Sequence, residues 1–180
     1  ATLLAGCPIP QSLPEYPLTG KIAPPRIVAD DALPSETIIV VAPDCPGADA
    51  DHLFVLSTSL IDENTKELVE ARWFVDYEVG RSTERPYESP PPIQGPTDGI
   101  TVQRPLAPFQ FRPYTFDDPA FRLAGGLHVV ELVVSNGFAP EPAVPPNARP
   151  YRTPLAQFET QVFRWVFHYT PGGACGYPPP

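Results

Sequence analysis

From residue 36 onward the chain runs in short β-branched and aromatic segments, and in 68–79 and 158–170 the apolar side chains recur at every second position. A period of two places alternate residues on opposite faces of an extended strand. The pattern predicts strands over "ETIIVVAP" (36–43), "HLFVLSTSLID" (52–62), "LVEARWFVDYEV" (68–79), "FQFRPYTF" (109–116), "GLHVVELVVSNGF" (126–138) and "FETQVFRWVFHYT" (158–170), with "ITVQRPL" (100–106) as a short edge strand. In 68–79, Ala71, Trp73, Val75 and Tyr77 fall on one face, and Arg72, Asp76 and Glu78 on the other. In 158–170, Phe163, Trp165, Phe167 and Tyr169 form an aromatic stripe. No segment carries a helical period. Seven short strands separated by Pro- and Gly-rich turns predict an all-β protein of the sandwich type.

Composition sharpens this. Twenty-eight of 180 residues are proline. Proline fixes φ and removes a backbone donor, so such a chain is poor in helix and rich in turns and edges. The net charge of −9 leaves no basic footprint for nucleic acid. The same acidity argues against electrostatic adhesion to anionic lipid. No stretch of 18 apolar residues exists to form a membrane-spanning helix.

The N-terminal stretch reads Leu3-Leu4-Ala5-Gly6-Cys7-Pro8. Leu4-Ala5-Gly6-Cys7 resembles the lipobox of bacterial lipoproteins. That resemblance implies diacylglyceryl transfer to the Cys7 sulfur, cleavage before Cys7, and residues 1–6 as the remnant of a signal peptide. It also implies an outer-membrane lipoprotein, because Pro8 rather than Asp follows the cysteine. Residues 8–25 hold six prolines among polar residues and extend the picture to a proline-rich tether over 7–35, with the folded domain over 36–180. With Cys7 lipidated, Cys45 and Cys175 are left, and an exported chain in an oxidising compartment would pair them as a disulfide. Two free buried thiols are the alternative.

Trp73 on the third predicted strand and "GLHVVELVVSNGF" on the sixth resemble immunoglobulin-like modules of bacterial proteins. The resemblance implies an antiparallel β-sandwich of about seven strands. In that topology the ends of the first and seventh strands share one pole, which is where Cys45 and Cys175 follow them.

The candidate chemistry is sparse. His52, His128 and His168 fall near that same pole and are weighed as a transition-metal cluster. Asp62-Glu63-Asn64 and Asp117-Asp118 are weighed as calcium ligands. In both cases solvated or hydrogen-bonded side chains are the default, and no metal or cofactor is expected. The stripe of Phe163, Trp165, Phe167 and Tyr169 is either a carbohydrate platform or, as is commoner, a core face. No G-x-S-x-G elbow, H-E-x-x-H helix or phosphate loop occurs, so no enzyme is expected.

Two long loops, 80–99 and 138–157, carry the residue types enriched at binding hot spots: Arg85 and Tyr87 in the first, Arg149, Tyr151 and Arg152 in the second. The expectation is a membrane-anchored lipoprotein that displays a non-catalytic binding or scaffolding domain to an envelope or cell-surface protein partner. A carbohydrate-binding or adhesion module and an accessory subunit of a secreted enzyme are the alternatives.

Overall fold

A computed structural model describes residues 24–35, 38–41, 54–76, 86–111, 125–140 and 151–169. Within them every regular element is a strand: β1 (Arg26–Leu33), β2 (Ile39–Val41), β3 (Phe54–Ile61), β4 (Glu70–Val75), β5 (Gln103–Arg104), β6 (Phe109–Phe111), β7 (Gly126–Ser135) and β8 (Thr160–Tyr169). The strands form two sheets. In one, β3 lies between β1 and an opposite side shared by β5 and β6. In the other the order is β2-β8-β7-β4.

All pairs are antiparallel except β2 with β8, which run parallel with Ile39 opposite Phe167 and Val41 opposite Tyr169. β1 is a strand that the hydrophobic pattern misses. It lies inside the stretch expected as tether, which corrects the domain's start from residue 36 to about residue 26. Its register against β3 shifts between Val28 and Leu33, and the intervening Asp30 and Asp31 are exposed. That bulge breaks the alternation by which a strand is recognised. The peptide bond Leu33–Pro34, where the chain leaves β1 for the other sheet, is cis.

β5 and β6 are two pieces of one edge. Leu60 opposes Arg104 and Leu56 opposes Phe109, with Pro105 and Pro108 in the interval. Proline cannot donate to a ladder, so the edge is interrupted there.

The sheets pack face to face through alternate residues. Ile27, Leu56, Leu60 and Phe109 from the first sheet meet Ile39, Ala71, Trp73, Val130, Leu132, Val134, Trp165 and Phe167 from the second. Trp73, fully buried, is the hub: its ring stacks on Phe109 at 4.6 Å and lies 5.5 Å from Trp165. Such pairs add about 0.5–1.5 kcal/mol beyond their area.

The chain enters at Arg26, which is opposite Ile61. Beside it lie the turn 62–69 and the β7–β8 connection. We call this the entry pole. Asp62, Arg104 and Asn136 are buried there together. Asp62 Oδ2 accepts from Arg104 Nη2 at 3.2 Å and from Asn136 Nδ2 at 2.9 Å, while its Oδ1 accepts from the Asn64 amide at 2.9 Å. Arg104 Nη2 also donates to the Asn64 carbonyl at 2.9 Å. The ends of β2, β4, β6 and β8 and the starts of β3 and β7 make the far pole.

Candidate functional site

The outer face of the four-stranded sheet β2-β8-β7-β4 carries the densest chemistry on the surface. A buried charge sits in its middle. Glu131 points away from the core on β7 and is 4% exposed. Arg164 on β8, directly opposite, donates to Oε1 at 2.6 Å. Arg152 brings Nη1 to 3.0 Å from Oε2. Two arginines thus offset the cost of removing one carboxylate from water.

Arg152 comes from the connection between β7 and β8, whose described residues 136–140 and 151–159 lie over part of this face. Its two arms are joined by the Ala139 amide to the Thr153 carbonyl at 2.8 Å and the Leu155 amide to the Gly137 carbonyl at 3.0 Å. Beneath them Phe74, Val133 and Phe138 form a second small apolar cluster, with Tyr151 and Val162 against it. Arginines flank it on both sides. Arg72 stacks its guanidinium 4.1 Å above the Phe138 ring and donates to the Tyr151 carbonyl at 2.8 Å. Arg152 lies 5.2 Å from the Phe74 ring centroid.

Toward the far pole the same face is exposed among the described residues. Leu127 on β7 is 66% exposed and pairs across the strand with the exposed His168, which in turn pairs with Val40. Val129 and Val166, partly buried, form the next row.

The open edge of β4 is covered. The segment 87–93 runs antiparallel to it through the pairs Trp73–Glu88 and Val69–Ile93. Ser89, Pro91 and Pro92 are exposed between these two anchors. Prolines on an edge present no amide for another strand to pair with.

At the far pole Asp76 follows β4 with φ of +49°, the left-handed region. Its Oδ2 is 2.6 Å from His128 Nδ1, its Oδ1 accepts from the Val129 amide at 2.8 Å, and its own amide donates to the Val129 carbonyl at 2.8 Å. His128 lies on the core side of β7 with Val130, and His168 points to the outer face of β8. Because His128 opposes Phe167 and His168 opposes Leu127, the one-residue offset puts the two imidazoles on opposite faces of the sheet. They do not converge on an ion. The calcium reading meets a similar obstacle at Asp62, whose oxygens are already engaged. Among the described residues no group of three or more His, Cys, Asp or Glu is placed to hold a metal.

Of the residues singled out for binding, Tyr87 is 37% exposed and sets its ring edge-on to Phe109 at 5.5 Å. Tyr151 and Arg152 are engaged within the fold as described, the Arg152 side chain being 15% exposed. Arg85, Arg149, Cys7, Cys45, Cys175, His52 and Asp117-Asp118 lie outside the described residues. The aromatic stripe of β8 faces inward: Trp165, Phe167 and Tyr169 are buried in the core and Phe163 packs against them. It is not a platform for a sugar.

Glu131 escaped the sequence reading, and Arg72 and Asp76 were placed there only on the polar face of their strand. Glu131 did leave a trace, as a single charge inside an otherwise apolar strand. Comparison with protein-family models, with curated proteins and with solved structures finds no match to this chain, so its own geometry carries the functional reading.

Proposed function

We propose that this chain is an outer-membrane lipoprotein, acylated at Cys7, that holds an immunoglobulin-like sandwich out from the membrane as a non-catalytic binding domain for an envelope protein. The strand order supports the immunoglobulin-like reading. Taking β1 and β2 as a first strand divided between the sheets, the first, second, fourth and fifth strands lie in one sheet and the third, sixth and seventh in the other, the partition of that fold.

The observation that carries the binding role is the half of the β2-β8-β7-β4 face that is exposed among the described residues, centred on Leu127 at 66% exposure. Leu127 and Val40 flank His168 in one row and Val129 and Val166 make the next, a largely apolar patch that water solvates poorly, and such patches mark contacts with other proteins. Its place fits the anchor. The tether joins the sandwich at Arg26, at the entry pole, so Leu127 lies toward the end remote from the membrane.

A Cys45–Cys175 disulfide belongs to the same proposal. β2 and β8 are adjacent and parallel, so the chain leaves both strands in the same direction at the far pole, four residues before Cys45 and six before Cys175. Adjacent strands are about 4.8 Å apart, and each residue reaches at most about 3.5 Å, so both segments are long enough to meet.

The test combines mass and contact. Intact mass from the native membrane fraction is expected to lack residues 1–6, to carry acyl groups at Cys7, and to rise by about 2 Da on reduction. A photo-crosslinking side chain at position 127 is expected to form one protein adduct in the intact envelope, lost when Val129→Asp is added on the same face. An unmodified Cys7 with residues 1–6 retained overturns the anchor. Absence of any adduct at 127 in an anchored protein overturns the docking face.

A further inference from the structure

We propose that Asn136–Gly137 is a covalent record of unfolding, a deamidation site that the fold silences and that, once modified, opposes return to the native state. It is the only Asn–Gly pair in the chain. In an unfolded chain this dipeptide cyclises readily, because glycine places no side chain in the way. The Gly137 nitrogen attacks the Asn136 side-chain carbonyl carbon and a new C–N bond forms. The bond to the side-chain nitrogen breaks, and the proton lost from the Gly137 amide accompanies the departing ammonia. Water then opens the succinimide to aspartate or isoaspartate. No oxidant or reductant takes part.

The native structure withholds each component of that reaction. The Asn136 amide nitrogen is held by two acceptors, Asp62 Oδ2 at 2.9 Å and the Leu68 carbonyl at 3.1 Å. Its Oδ1 lies 3.5 Å from Asn64 Nδ2. The would-be nucleophile, the Gly137 amide, donates to Ser135 Oγ at 3.3 Å, and the single proton of that hydroxyl is shared between the Glu159 carbonyl at 2.9 Å and the Gly137 carbonyl at 3.1 Å. Water, needed for the second step, is kept away: Asn136 is 5% exposed and Ser135 is fully buried.

Both residue types have structural reasons to be there. Asn136 bridges β7 to the turn 62–69. A side chain on Gly137 would come within 3.1 Å of Leu155 and Phe158. The fold thus places a labile dipeptide in the chain for packing and shields it by the same packing.

The product is the more telling half. A carboxylate at position 136 would face the Asp62 carboxylate in a buried site where Arg104 is the one cation bonded to Asp62 among the described residues. Burying two like charges against one counter-charge is strongly unfavourable, and Asp62 also loses a donor. A chain that has stayed unfolded long enough to deamidate is therefore marked and refolds poorly.

The experiment follows the peptide spanning residue 136 by mass in the full-length protein at mildly alkaline pH, native and in urea. Deamidation adds about 1 Da. The urea sample is expected to convert, and Gly137→Ala in urea to convert far more slowly, which assigns the site. If reaction proceeds only through opening, the native rate is lower by the unfolded fraction, a factor of about 1,000 or more. Asn136→Asp is expected to shift the urea midpoint downward. A native rate within about tenfold of the urea rate means the fold does not shield the site. An Asn136→Asp protein as stable as the original means the mark has no consequence. Either result overturns the proposal.

Discussion

Asp76 reaches His128 from a left-handed backbone, with 2.6 Å between Oδ2 and Nδ1 and the other carboxylate oxygen on the Val129 amide. The pair ties the end of β4 to the start of β7 where the sheet ladder ends. Aspartate and asparagine tolerate this conformation better than other residues with a Cβ. Three substitutions separate backbone from side chain. Asp76→Ala loses the bonds and also pays the left-handed cost, for a total of about 2–4 kcal/mol. Asp76→Gly loses the bonds alone and is expected to be about 1 kcal/mol milder. Asp76→Asn keeps the conformation and the Val129 bond and is mildest. Urea midpoints of the three variants check the order.

The strap over the outer face should answer to Arg152 more than to Arg164. Both contact Glu131, but the Arg164 side chain is 60% exposed and Arg152 15%. Exposed pairs are worth little. Arg152→Ala is expected to speed amide exchange at Ala139 and Leu155 about 5–30-fold, corresponding to about 1–2 kcal/mol. Arg164→Ala is expected to leave these amides nearly unchanged. Equal effects would show that the charge cluster acts as one unit.

Two glycines should differ in kind. A Cβ on Gly95 would stand 2.1 Å from the Thr65 carbonyl oxygen, which is backbone. The turn 62–69 would have to move, so Gly95→Ala is expected to cost about 3 kcal/mol. At Gly137 the neighbours are side-chain ends of Leu155 and Phe158 at 3.1 Å, which can give slightly. Gly137→Ala is expected to cost about 1 kcal/mol. Thermal melts of both variants decide the ranking.

Two side chains set the pH limits the structure defines. Hydrogen bonds from the Thr101 hydroxyl, the Thr101 amide and the Ile100 amide hold the Asp98 carboxyl at about 2, down from 3.8. A depressed native value contributes stability above 3.8 that is lost as pH falls through about 2. Asp98→Ala is expected to flatten that part of the acid curve. Burial raises the Tyr169 phenol above its usual 10. Its contribution is present below pH 10 and is lost as pH rises through the native value, because the unfolded chain ionises first. Tyr169→Phe is expected to reduce the alkaline loss of stability.

These elements show how far the sequence could be read. β8 was legible from the period-two spacing of its rings, and β7 from an unbroken run of β-branched and apolar residues that ends buried on both faces. β1 was not, since Asp30 and Asp31 occupy a bulge and Pro24-Pro25 precede it, so its composition matches a tether. β5 and β6 fall within the segments 100–106 and 109–116 read as strands, although prolines cut this edge into shorter pieces than expected. Tyr87, Tyr151 and Arg152 were picked for their chemistry, but a sequence does not say whether a long loop extends into solvent or folds back on a sheet. Here Phe74 and Phe138 offer the surface it folds onto, and a Phe on the polar side of β4 was the available clue. The aromatic stripe carried its own answer: rings at period two on a strand otherwise rich in valine belong to a core.

The direction of β1 has a mechanical consequence. Tension arriving through Pro25 pulls along β1 toward the entry pole, parallel to its ladder with β3. Hydrogen bonds of an antiparallel ladder lie across the strand axis. The pairs Arg26–Ile61, Ile27–Leu60 and Val28–Ser59 therefore carry the load side by side, in shear. A strand joined to its tether at the opposite end would peel away one pair at a time. If the proposed anchor and partner hold the domain at its two ends, this ladder is what resists its being drawn apart.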